Sequence, residues 1–85
     1  MDVRLEFTVE PFVEGSPGPH VTAAIDETRR LGFDPVVGPF GTTVDGSSSD
    51  ILPALEAIVA AAVEAGATRV ALAVSRRQSV DLERE

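Results

Sequence analysis

Residues 3–10 alternate without a break: Val3, Leu5, Phe7 and Val9 fall on one side of an extended chain, and Arg4, Glu6, Thr8 and Glu10 on the other. A two-residue period sends successive side chains to opposite faces, so the segment reads as a strand with one face buried. Pro11 removes a ladder donor and ends it. The buried face needs a covering layer, and two later segments supply one. Val21, Ala24, Ile25, Thr28 and Leu31 recur at helical spacing behind Pro19. Proline suits a first helical position, where its missing N–H has no intrahelical partner. Leu52, Leu55, Val59, Ala62 and Val63 form a second stripe, flanked by Ile51 and Ile58. Ser47 to Asp50 offer candidate N-caps for that helix, and Pro53 is expected within its first turn. Gly32 and Gly66 are natural left-handed stops for the two helices.

Between the helices, "FDPVVGPFGTTVDG" reads as two short strands around a Gly38–Gly41 corner. After Gly66, "TRVALAVS" gives a last strand, with Val70, Leu72 and Val74 on one face and Ala71, Ala73 and Ser75 on the other. The order β-α-β-β-α-β predicts an α+β fold: a ferredoxin-like sandwich, its four-stranded antiparallel sheet carrying both helices on one face. Residues 3–77 form this domain, and residues 78–85 are expected to be a polar C-terminal tail. Ala71, Ala73 and Thr8 should lie on the uncovered face. Small side chains there allow a second sheet to approach closely, so the face reads as a dimer or tetramer surface. The alternative is a simply solvated sheet, which antiparallel sheets tolerate.

With 85 residues, a chain of this kind buries only about 60% of its unfolded surface, and self-association is a common remedy. Seven basic residues, all arginine, stand against fourteen acidic ones, for a net charge of -7. That balance argues against nucleic acid, whose phosphates require a basic patch. No apolar run is long enough to span a bilayer or serve as a signal peptide, so a membrane is not an expected partner and a cytoplasmic location is.

The residue inventory also limits chemistry. Without cysteine there are no thiolate metal sites or thiol nucleophiles. Metallochaperones of this architecture need paired cysteines, acylphosphatases an asparagine that this chain lacks, and RNA-recognition domains basic charge with sheet aromatics. The "GSPGP" loop before the first helix has prolines where a phosphate cradle needs N–H donors. His20, the single histidine, reads as a surface residue at a helix start. No carboxylates are spaced for a metal, and no nucleophile stands beside a base. A non-catalytic protein with no metal or cofactor is expected.

The corner itself, "VVGPFGTTVDG", carries more polar groups than a plain turn needs. Its residues either decorate a solvated strand or line a small binding site. "VGPFGTTVDG", taken with "FTVEP" and "EAGATRVALAVS", resembles the thiamine-binding YkoF-like family, the DUF77 type, over about residues 3–77. The family's hairpin commonly reads Gly-Pro-Met-Gly-Thr with a glutamate following; here Gly38-Pro39-Phe40-Gly41-Thr42 leads to Asp45. Thr8, three residues before Pro11, matches a small hydroxyl residue of the family's first strand.

The resemblance implies thiamine, or its hydroxymethylpyrimidine moiety, as ligand, and a role in vitamin B1 supply or sensing. Thr8, Phe40, Thr42 and Asp45 are then the candidate ligand-binding residues, with Glu6 and Thr43 secondary. A carboxylate could balance the thiazolium cation, hydroxyls could meet ring nitrogens, and Phe40 could stack on a flat ring. Ordinary alternatives stand beside these roles: a corner plug for Phe40, strand propensity for the threonines, turn chemistry for Asp45 before Gly46. If Val44 faces the helices, so does Thr42, while Thr43 and Asp45 join Thr8 and Glu6 on the open face. The other functional reading is an ACT-like regulatory or assembly module that binds a different small metabolite.

Overall fold

Strand β1 (Asp2–Glu10) leads into helix α1 (Pro19–Arg30), then β2 (Val36–Val37), β3 (Thr42–Ser47), helix α2 (Ser48–Glu64) and β4 (Arg69–Arg76). The structure, a computed structural model, describes residues 1–12 and 16–77. The tail expected at 78–85 lies outside the described residues. The strands form one sheet in the order β2-β3-β1-β4, and every pairing is antiparallel. This is the expected α+β ferredoxin-like sandwich.

Alternation along β1 sets the layers. Val3, Leu5, Phe7 and Val9 are each at most 5% exposed and face the helices. Leu5 pairs with Val44 on β3 and Val74 on β4, so one row of the sheet is apolar across three strands. Ile51, Ala54, Ile58 and Ala62 of α2 close over it together with Ala24 of α1. Full burial of a side chain such as Leu5 or Ile58 is worth roughly 1.5–3 kcal/mol. Thr28, completely buried, donates its hydroxyl to the Ala24 carbonyl at 2.8 Å and leaves no polar group unpaired there.

Both helix stops behave as expected. Gly32 and Gly66 have φ of 96° and 113°, in the region a Cβ disfavours. Pro19 occupies the first turn of α1.

Three expectations about these elements need correction. The buried line of α2 runs through Ile51, Ala54, Ile58 and Ala62, whereas Leu52 and Val63 are 54% and 53% exposed. Ala54 lies on the flank of α2 that meets Leu31 and Phe33, just past the end of α1, and helical spacing puts Leu52 and Val63 on the opposite side. Leu72 and Val74 share the helix side of β4, as expected, and are 36% and 40% exposed on this edge strand. Pro53 is the sixth residue of α2, beyond the first turn, on an exposed flank. Its missing N–H leaves the Ser49 carbonyl without its usual helical donor. The serines contribute no side-chain cap either. Ser47 holds the cap position in extended conformation, and β3 passes into α2 with no loop between them.

Candidate functional site

The corner between β2 and β3 is built by small residues and one backbone bond. Gly38 N–H donates to the Gly41 carbonyl at 2.8 Å, closing the turn around Pro39 and Phe40. A Cβ on Gly41 would lie 3.1 Å from the Phe7 carbonyl oxygen and 3.2 Å from Cγ2 of Thr8. Glycine there lets the corner lie directly against β1. The same tight turn aims Phe40 outward, where it is 90% exposed. Phe40 therefore does not plug the corner; its ring is presented to whatever approaches.

A cleft opens on each side of this corner. The helix-side cleft, of about 470 Å³, lies between the corner and the end of β1; Thr8, Glu10, Phe12, Val21 and Val37 form much of its wall. The open-face cleft, of about 480 Å³, continues onto the bare side of the sheet, where Glu6, Thr43, Ala71 and Ala73 line it. Both volumes fall in the ordinary range for small-molecule sites. Thr8, Phe40 and Thr42 line both clefts.

Strand register explains the division. Thr42 lies opposite Phe7 and Val37, on the helix side, and is only 5% exposed. Thr43 lies opposite Glu6 and Val36, and Glu6 opposite Ala73, on the open side. Among the described residues the Thr42 hydroxyl has no hydrogen-bond partner. A buried hydroxyl without one costs about 1–3 kcal/mol, so an unpaired one on a residue that lines two clefts is informative.

Asp45 stands apart from the other five candidates and lines neither cleft. It pairs with Arg4 across the β1–β3 ladder. Arg4 Nε and Nη2 donate to its two carboxylate oxygens at 2.8 and 3.1 Å, and Arg77 lies 3.7 Å away. The fork of hydrogen bonds from Arg4 holds the Asp45 carboxyl below the usual carboxylate range.

The alternation pattern did not reveal Phe12, Val21, Val37 or Glu10 as wall residues. Glu10 Oε2 accepts from Arg69 at 3.1 Å. Its place at the end of β1, beside Pro11, is the sequence signal that could have marked it. Among the described residues no group of three potential metal ligands converges. No described helix is long and apolar enough to cross a membrane.

A family profile described as "Thiamine-binding protein" matches residues 5–84. No curated protein matches. Solved structures of similar fold include a putative thiamine biosynthesis/salvage protein from Thermotoga maritima, 25% identical, covering 91% of this chain and 85% of that one with a TM-score of 0.71. A domain of unknown function, DUF77, from Bacillus cereus is 24% identical over 98% of this chain and 86% of that one, with a TM-score of 0.67. A Streptococcus pneumoniae protein, 21% identical over 96% of both chains with a TM-score of 0.75, shares the fold.

Proposed function

We propose a function from one established premise: the chain belongs to the thiamine-binding protein family. The protein is a non-catalytic binder of thiamine or its hydroxymethylpyrimidine moiety, acting in vitamin B1 supply or sensing in the cytoplasm. The ligand sits at the Gly38–Gly41 corner.

The observation that carries this reading is Thr42. The residue is buried and lines both clefts, and its hydroxyl lacks a hydrogen-bond partner among the described residues. A ring nitrogen or exocyclic amino group would satisfy it, since a hydroxyl both donates and accepts. Thr8 supplies a second hydroxyl from the facing strand. Phe40 offers an exposed ring for stacking, a contact worth roughly 0.5–1.5 kcal/mol beyond area burial. Glu6 and Glu10, one on each side of the corner, are carboxylates for the thiazolium cation, with Thr43 beside Glu6 on the open face. Asp45 serves indirectly, by tying Arg4 to β3 away from the cation's path.

The open face, with Ala71, Ala73 and Thr8, is the proposed surface for self-association into a dimer or tetramer. A second sheet laid there would cover the open-face cleft and exclude water from it. The binding reading requires no bond-making step.

Calorimetric titration of the purified protein tests it. Thiamine should give a saturable heat, and Thr42→Val, of nearly equal volume, should weaken binding roughly 3- to 10-fold by removing one hydrogen bond. Absence of heat at millimolar thiamine contradicts the reading.

A further inference from the structure

His20 was expected at the surface, as the second residue of α1. It is buried instead, 9% exposed, with its ring turned back against the end of β1. Nε2 donates to the Pro11 carbonyl oxygen. On its other side the ring presses against Gly18: a Cβ at that position would lie 2.6 Å from Cε1 and 2.9 Å from Nδ1. The imidazole thus fills a slot that only glycine leaves open, and it reaches across the start of the helix to one backbone oxygen.

That oxygen belongs to the residue immediately before Phe12, and Phe12 lines the helix-side cleft. Val21, the next residue of α1, lines the same cleft. Once β1 ends at Glu10, Pro11 and Phe12 have left the sheet ladder, and their backbone makes no other hydrogen bond among the described residues. Among the described residues, the tie from His20 is the one polar contact that fixes this piece of wall against α1. Phe12 is itself 52% exposed, so its own packing holds it only in part.

We propose that His20 is a positioning residue for the ligand site: by holding the Pro11 carbonyl through Nε2–H it sets Phe12 as the aromatic wall of the helix-side cleft, facing the corner that carries Phe40. This rests on the binding reading above for its functional consequence, but its structural half stands without a ligand. The carbonyl oxygen can only accept, so Nε2 must carry a proton, which excludes the Nδ1–H tautomer. Glutamine carries a donor on a flexible chain of similar reach, whereas leucine fills comparable volume with none.

The chain has four phenylalanines and no tryptophan or tyrosine, so 4-fluorophenylalanine labelling gives a short fluorine NMR spectrum in which Phe12 is assigned by its own substitution. His20→Leu should shift and broaden the Phe12 line while leaving that of Phe33, at the far end of the sandwich, unchanged. His20→Gln should restore much of the native Phe12 line. Gly18→Ala, which displaces the ring without touching the donor, should reproduce the leucine spectrum. In thiamine titrations His20→Leu should lose about fivefold in affinity, the scale of one hydrogen bond, with His20→Gln recovering most of it. Nitrogen-15 NMR of the unmodified protein keeps the test open should a variant fail to fold: a protonated Nε2 with slow proton exchange supports the tie, and an unprotonated Nε2 overturns it. An unchanged Phe12 line in folded His20→Leu also overturns it. If the unmodified protein binds no thiamine, the binding reading fails, and the fluorine and nitrogen spectra still decide the positioning role.

Discussion

Thr28 and Thr42 are both buried, one in α1 and the other at the corner. Thr28 is completely buried and donates to the Ala24 carbonyl one helical turn back. Thr42 is 5% exposed, lies on a cleft wall and has no partner among the described residues. Around Thr28 the fold answers its own needs. Around Thr42 it leaves a hydroxyl unsatisfied, a phenylalanine 90% exposed, and the two valines of β2 at 66% and 55%. An interior that is complete and a corner that is not is the pattern of a rigid scaffold presenting a site.

Substitutions that strike the scaffold and the corner separately should break this contrast or sharpen it. The largest effect is expected from Leu5→Ala, at the fully buried centre of the sheet. It should cost about 2–5 kcal/mol in chemical denaturation, while thiamine affinity per folded molecule stays near the native value. Gly41→Ala comes next, because it strikes both regions. The new Cβ meets the Phe7 carbonyl at 3.1 Å, so about 1–3 kcal/mol of stability should be lost and binding should fall with it. Phe40→Ala should separate the two completely: a stability change within about 0.5 kcal/mol, as for other exposed positions, together with weaker thiamine binding by calorimetry.

The smallest effect should come from Asp45→Asn. The pair with Arg4 is exposed and screened, so denaturation at neutral pH should barely register its loss. Its signature is the pH dependence. The Asp45 carboxyl titrates lower in the folded protein than in the unfolded chain. Its stabilising contribution is therefore present above the unfolded value of roughly 4 and disappears as pH falls through the lower, folded value. Acid unfolding curves of Asp45→Asn should lack that segment and otherwise coincide with the unmodified protein's.

How much of this was legible in the sequence follows the same division. Strict alternation announced β1 and its buried face, because a two-residue period has one geometric meaning. Gly32 and Gly66 announced the helix ends, because positive φ selects glycine. Periodicity was less reliable on α2: several neighbouring residues are apolar, so the stripe could be drawn through Leu52 and Val63 or through Ala54 and Ile58. Only contact with α1 decides between them. Leu72 and Val74 alternate as a buried strand does, but alternation does not reveal that β4 is the edge. At the corner, sequence placed Thr8, Phe40 and Thr42 near one another in expectation. It could not place Phe12 or His20, whose positions depend on how the chain leaves β1 and enters α1. Asp45 was a candidate through its likeness to the family's hairpin glutamate, and Arg4, forty-one positions away, is what engages it.

The central claim is that the corner, and not the rest of the surface, receives a flat cationic heterocycle. Fluorine NMR of the 4-fluorophenylalanine protein during a thiamine titration tests it most directly. The Phe40 and Phe12 lines should move together along a saturable curve while the Phe33 line stays fixed. Four lines that do not move at millimolar thiamine, or a response confined to Phe33, would contradict it.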